Sequence, residues 1–133
     1  MTTKREFEER QHMFSALQSA GIDYRDCDAL RLISLRLQSW FERECGTDNG
    51  CIERDEQTGK PFWLSSRNMK RYPIRDMETG ARKRLDKIME KYPNLTAYIQ
   101  GDPRGAALYI LRPGDVPAGE KEHGFYTRGI CVY

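Results

Sequence analysis

The first third of the chain carries apolar residues at the spacing of amphipathic helices. Between residues 4 and 20, Phe7, Phe14 and Leu17 fall on one side of a helix, and charged residues occupy the other side. Gly21 ends this pattern. The spacing therefore predicts a first helix over 4–20 with one face in the core.

A longer apolar stripe follows at residues 26–45, with its members three or four positions apart. Asp23 or Asp26 is placed to cap the start of this second helix. Leu32 and Leu35 widen the stripe, which predicts a helix that packs on two neighbours and lies across a sheet. The stripe itself consists of Leu30, Ile33, Leu37, Trp40, Phe41 and Cys45.

Two short apolar runs at 51–54 and 60–64 flank a group of turn-forming residues, which is typical of a β-hairpin. Gly59 is suited to a positive φ at the start of the second strand. Pro61 has no backbone N–H to donate. Its presence predicts that this strand lies at a sheet edge or pairs only beyond that residue.

The pattern Arg-Asp-x-x-Thr-Gly occurs twice, at 54–59 and at 75–80. Six residues with unlike flanks are too few for a repeat unit, so the context of each copy decides its structure. The first copy lies in the hairpin turn. The second leads into apolar residues at helical spacing, which predicts a third helix over 77–92 capped by Asp76.

The last third of the chain has the pattern of a small sheet. Runs at 96–100 and 106–111 flank the turn formers of 101–105, where Asp102 and Gly105 hold the first and fourth positions favoured in a type I turn. A final apolar run at 129–133 is predicted to pair beside this hairpin.

These elements predict one α+β domain over residues 1–133. It comprises a helical part at 1–45, a hairpin at 51–64, a helix at 77–92 and a C-terminal sheet at 95–133. We expect about three helices packed on one face of a mostly antiparallel sheet of about five strands. The predicted core is Phe14, Leu17, Leu30, Ile33, Leu37, Trp40, Phe41, Leu85, Ile88, Ile99, Leu108, Ile110, Ile130 and Val132.

Composition bounds the class of protein. The 133 residues are 38% hydrophobic and 32% charged, and no apolar run approaches the ~20 residues that span a bilayer. The N-terminus turns polar and acidic where a signal peptide has its apolar stretch. We therefore expect a cytoplasmic protein without a membrane partner.

Cysteine spacing gives no metal signal. The four cysteines, Cys27, Cys45, Cys51 and Cys131, contain no Cys-x-x-Cys pair and are accompanied by only two histidines. No Gly-x-Ser-x-Gly elbow or phosphate loop occurs either. The sequence thus predicts no metal site, no cofactor and no enzyme activity.

Positive charge is concentrated in the middle of the chain. Residues 51–94 hold 11 Lys/Arg against 7 Asp/Glu. Arg67, Lys70, Arg71 and Arg75 are candidate phosphate contacts, which makes a small nucleic-acid-binding protein the alternative function. The same pattern is typical of a solvated surface with ion pairs, and we weight that interpretation more heavily.

The C-terminal residues Tyr-Ile-Gln-x-Asp-Pro-Arg-Gly-x-Ala-Leu-Tyr-Ile-Leu at 98–111, followed by Tyr-Thr-Arg-Gly-Ile-x-Val-Tyr at 126–133, resemble a family of small proteins encoded by tailed bacteriophages and prophages. The resemblance implies an origin on a mobile genetic element. The family has no assigned activity, so no catalytic or binding role is carried over. Relatives have a cysteine where this chain has Ala106, which argues against thiol chemistry there.

The resemblance and the missing catalytic motifs together predict an accessory protein that acts by binding a host or phage protein in the bacterial cytoplasm. Inhibition of a bacterial defence system, as by an anti-CRISPR protein, is one such role. The candidate binding residues are Asp102, Arg104, Tyr126 and Arg128. In the competing interpretation, Asp102 caps its own turn and pairs with Arg128.

Overall fold

Three helices and six strands make up the fold in the computed structural model, which describes residues 3–45, 50–77, 79–102, 105–115 and 129–133. The predicted α+β class is confirmed, and each predicted helix and strand ends within two residues of the observed one. The elements are α1 (Lys4–Ser19), α2 (Tyr24–Glu44), β1 (Gly50–Arg54), β2 (Pro61–Ser65), β3 (Arg71–Pro73), α3 (Thr79–Glu90), β4 (Thr96–Asp102), β5 (Gly105–Leu111) and β6 (Ile130–Val132).

The strands form two antiparallel sheets of three strands each, in the orders β1-β2-β3 and β4-β5-β6. The prediction of one sheet of about five strands is therefore wrong. β1 and β4 approach to within 8 Å between Cα atoms, but no strand ladder joins them. Strand β3 was missed because its three exposed residues carry no apolar alternation.

Pro61 lies in the central strand of its sheet. The predicted edge position is wrong, whereas the alternative, that pairing begins only beyond the proline, holds for the β3 side. β3 pairs with β2 from Phe62 onward, so no ladder bond to β3 is required of the proline. On the other side, Pro61 stands opposite Arg54. A first strand residue is where a sheet tolerates proline.

The first two helices begin and end where the sequence places stop and start signals. Thr3 and Glu6 form a capping box at α1, and Gly21 adopts a φ of +101° just past its end. Asp23 occupies the N-cap position of α2, but its side chain makes no capping hydrogen bond. The Asp26 side chain instead contacts Lys91 and Tyr92, which follow the end of α3.

One stripe of α2 is buried. The prediction that Leu32 and Leu35 widen this buried stripe is wrong. These two side chains are 47% and 51% exposed. α2 contacts α1, α3, β5 and β6 through the narrower stripe, so its remaining face meets solvent. The predicted core, which did not include these two leucines, is confirmed, with Ile99 only partly buried.

A polar contact ties the start of α2 to the end of α3. The Tyr92 hydroxyl donates to Asp26 Oδ2 at 2.5 Å and accepts from the Asp23 backbone N–H at 3.0 Å. Lys91 Nζ lies 3.3 Å from Asp26 Oδ1. Burial and the hydrogen bond to Asp26 raise the pKa of Tyr92 above its ordinary 10.0. Folding therefore favours the neutral phenol.

We expect Tyr92→Phe to lower the free energy of unfolding by about 1–3 kcal/mol, because it leaves the largely buried Asp26 carboxylate with fewer partners. The contribution is present below pH 10 and is lost as the pH rises past the raised pKa. Urea melts at pH 7 and above pH 10 measure both effects. Tyr72→Phe removes an exposed hydroxyl and is the matched control, with an expected change within about 0.5 kcal/mol.

Candidate functional site

A cleft of about 470 Å³ lies at the junction of the two sheets. β1 forms one wall and β4 the other, while α2 lies beneath them with Leu37 and Trp40. The volume falls in the range of ligand-binding clefts. The lining residues are Leu37, Trp40, Ile52, Glu53, Arg54, Pro61, Met77, Arg82, Ala97, Tyr98 and Ile99.

Each wall of the cleft consists of three consecutive strand residues, 52–54 on β1 and 97–99 on β4. A groove over one face of a sheet would be lined by alternate residues only, because successive side chains point to opposite faces. Consecutive lining residues therefore indicate that the cleft borders the strand edges, and Pro61 of β2 shows that it also extends over one face of the β1–β2 hairpin. The backbones of β1 and β4, and not only their side chains, border it.

Positive charge stands at one end of the cleft. Arg54 Nη2 lies 3.4 Å and Arg82 Nη2 lies 3.5 Å from the same oxygen, Asp76 Oδ1. Burial raises the pKa of Asp76, but Arg54, the backbone N–H of Met77 and Arg82 together bring it below its ordinary value. Two guanidinium groups thus share one carboxylate, so the cluster of Arg54, Arg82 and Asp76 carries one excess positive charge, while Glu53, on the other face of β1 from Arg54, also lines the cleft.

The two copies of the repeated hexapeptide meet at this end of the cleft, through Arg54 of the first and Asp76 of the second. The prediction that Asp76 caps α3 is wrong, because the helix begins three residues later at Thr79. Its carboxylate instead accepts hydrogen bonds from two arginines.

The segment between β3 and α3 is held on the C-terminal half of α2. Trp40 Nε1 donates to the Arg75 carbonyl oxygen at 2.5 Å, and Glu44 Oε1 pairs with Arg75 Nε at 3.0 Å. Met77, two residues further on, is 3% exposed and lines the cleft. These contacts fix one part of the cleft wall relative to the helix.

The predicted binding residues fall mostly where the structure gives no description. Arg104, Tyr126 and Arg128 lie outside the described residues. Of Asp102, only the backbone is described, at the end of β4 and paired with Gly105. These four residues remain predictions.

The basic candidates Arg67, Lys70 and Arg71 lie together on the β2–β3 hairpin and are exposed. The Arg71 guanidinium stacks 4.6 Å from the centre of the Phe62 ring. Arg75 is exposed but lies apart from them, in its ion pair with Glu44. The structure therefore brings three of the four together.

All four cysteines are free thiols. Burial, with Asp23 and Asp26 nearby, raises the pKa of the Cys27 thiol to about 11, and burial beside Glu44 raises that of Cys45 to about 11 as well. Within the described ranges no group of three or more His, Cys, Asp or Glu side chains is arranged to hold a metal ion. In the same part of the chain no helix is both long and apolar enough to cross a membrane.

Comparison with known proteins adds no relative. The chain matches no protein-family model, no curated protein and no solved structure. The resemblance to phage-encoded proteins therefore stays a prediction from the C-terminal motif, and the inter-sheet cleft has to be interpreted from its own geometry.

Sequence reasoning missed the cleft, because its walls come from strands that are distant in the chain. The repeated hexapeptide was the one available signal. The two Arg-Asp pairs lie 21 positions apart in the sequence. When the fold brings the copies together, the arginine of one copy can pair with the aspartate of the other, as Arg54 does with Asp76.

Proposed function

We propose that this protein acts by binding another protein, and that the inter-sheet cleft is the docking site. The observation that carries the proposal is the combination of an apolar floor containing a tryptophan with an arginine-bearing rim. Trp40 forms the floor, and Arg54 and Arg82 form the rim. Arginine is one of the residue types that most often dominate the energy of protein interfaces, and the 5% exposed Trp40 supports the floor from the core side.

The C-terminal motif supports a phage or prophage origin and so a host or phage protein as the partner, met in the bacterial cytoplasm. An inhibitor of a bacterial defence system, of the anti-CRISPR type, is the specific role we propose. The cleft suits such a role because binding alone, without a chemical step, is sufficient to block a partner's surface.

The double variant Arg54→Gln with Arg82→Gln is expected to lose most of the partner that the wild-type protein captures from host lysate, a drop of about tenfold or more. Glutamine keeps a polar, although shorter, side chain and removes the charge at each position. A tag on the N-terminal side leaves the buried C-terminal strand untouched. Quantitative mass spectrometry of the captured proteins measures the effect.

The matched control is Arg67→Gln with Lys70→Gln, which removes the same charge from the β2–β3 hairpin. Circular dichroism melts confirm that both double variants fold. Equal capture by the cleft variant and the wild type would place the interface elsewhere and overturn the docking site.

Nucleic-acid binding is the second candidate, favoured by the exposed cluster of Arg67, Lys70 and Arg71 beside the exposed Tyr72. Phosphate contacts weaken steeply with salt, so mobility shifts at two salt concentrations detect them. The variant Arg67→Gln with Lys70→Gln, the control for the cleft, is the test variant for nucleic-acid binding. It should lose nucleic-acid binding, whereas the cleft variant should retain it.

A further inference from the structure

We propose that the cleft takes up an extended, acidic segment of the partner as an additional strand between β1 and β4. This inference rests on the proposed function and names the chemistry of the partner. Its basis is the direction in which the backbone groups of the two facing edges point.

In β1, the direction follows from the hairpin. In an antiparallel ladder, the backbone N–H and C=O of a residue point to the same side, and the side alternates along the strand. The Asp55 N–H donates to the Lys60 carbonyl at 3.0 Å, across the hairpin. Glu53 therefore also faces β2, and Ile52 and Arg54 point to the opposite edge, where the cleft lies.

In β4, the direction follows from its partner β5. The Ala106 N–H donates to the Gln38 side chain at 3.1 Å and so does not bond β4. Gly101 stands opposite Ala106, so the pairs that exchange ladder bonds are those on either side of it. Alternation from there turns the backbone groups of Ala97 and Ile99 toward the cleft.

The edge residues on both walls thus present backbone donors and acceptors to the same space, without a ladder between them. An unpaired strand edge is a template for another chain. A strand that pairs with both walls needs them about 9.6 Å apart, twice the ~4.8 Å strand spacing. β1 and β4 now approach within 8 Å, so uptake has to widen the gap against the core packing that the two sheets share, although no ladder between these two strands has to break.

The arginines at the rim of the cleft indicate that the partner segment carries negative charge. Arg82 donates to Asp76 through Nη2 and its side chain is 30% exposed, so the guanidinium presents further paired N–H donors at the cleft. A carboxylate accepts such a pair in bidentate geometry. The apolar residues Ile52, Ala97 and Ile99 line the remainder. An extended peptide with alternating acidic and apolar side chains matches both features.

Hydrogen exchange followed by NMR tests the free edges. In the free protein, the amides of Ile52, Arg54, Ala97 and Ile99 should exchange about tenfold or more faster than those of Glu53 and Tyr98, their neighbours in the ladders. The neighbours are an internal control, because they share the same strands and depth. Equal protection of the two sets would show that the edges are already paired and would overturn the proposal.

A peptide of about seven residues, alternating valine and aspartate and labelled with fluorescein, is the binding probe. We expect it to bind and to slow exchange at the four edge amides. N-methylation of its alternate amides removes donors to one wall without changing charge, and lysine in place of aspartate reverses the charge. Each change should weaken binding about tenfold or more.

Several results would overturn strand uptake: no binding at about 1 mM probe, equal binding of the N-methylated peptide, or equal binding of the lysine peptide. The proposed function fails separately. If the captured partner depends on Arg54 and Arg82 but leaves the edge amides unprotected, docking at the cleft stands and strand uptake fails. If the double cleft variant captures as much partner as the wild type, the proposed docking site fails, whether or not the labelled peptide binds.

Discussion

Deletion of residues 130–133 is expected to leave the protein unfolded or insoluble. The segment supplies β6, in which Val132 pairs with Leu108 and Ile130 pairs with Ile110. Val132 is 1% exposed, and its carbonyl accepts a hydrogen bond of 2.6 Å from Ser34 of α2. The deletion removes a strand that joins the sheet to the helical layer.

The expected magnitude follows from burial. Each buried aliphatic side chain contributes ~1.5–3 kcal/mol, and a domain has a total stability of roughly 5–15 kcal/mol. Two such side chains, their ladder bonds and the Ser34 contact are a large part of that total. The predicted alternation, with Ile130 and Val132 inward, is confirmed by their burial.

Circular dichroism and the melting temperature of the truncated protein decide this prediction. Tyr133→Ala is the control, because that side chain is 52% exposed and its loss should change stability by only about 0.5 kcal/mol. A tag after Tyr133 should be tolerated only with a flexible spacer. A native spectrum with an unchanged melting temperature in the truncated protein would contradict the role of β6.

Replacement of Trp40 by alanine is expected to lower the free energy of unfolding by ~3–5 kcal/mol, the range for emptying a large aromatic site in a core. Trp40 is 5% exposed and packs in the continuous core that includes residues from both sheets. Its loss also orphans the Arg75 carbonyl, which it contacts at 2.5 Å.

Trp40→Phe separates the two contributions, since phenylalanine keeps most of the apolar volume and loses the indole N–H. We expect about 1–3 kcal/mol for this variant. Urea melts of both variants measure the difference. A loss below about 1 kcal/mol for Trp40→Ala would mean that the indole is not a core group.

The local sequence was sufficient for the individual elements. Periodicity located the three helices and five of the strands, because burial of one helix face or one strand face imposes a period of 3.6 or 2 on the residues. Turn formers located the β1–β2 and β4–β5 hairpins. The core followed from the same stripes, and the C-terminal strand from the apolar run at 129–133.

Where the sequence pattern allowed more than one structure, contacts with neighbouring elements in the fold determined which one formed. Leu32 and Leu35 fit an apolar stripe, but α2 has no partner on that side among the described elements, so they stay exposed. Pro61 suggested an edge strand, yet β2 is central because β3 begins its pairing one residue later. Asp76 was predicted to cap a helix, but its carboxylate forms ion pairs with Arg54 and Arg82 instead.

The cleft depends on tertiary structure alone. Its walls, β1 and β4, are separated by more than 40 residues, and each is specified locally only through its own hairpin partner. Hairpin signals set the register within each sheet, but no periodicity or turn encodes how two sheet edges meet. That meeting is set by tertiary packing: α2 contacts β5 and β6 of one sheet, and its Phe41 packs edge-on against Trp63 of the other. Among the described strands, no ladder then joins the edges of β1 and β4 that face each other.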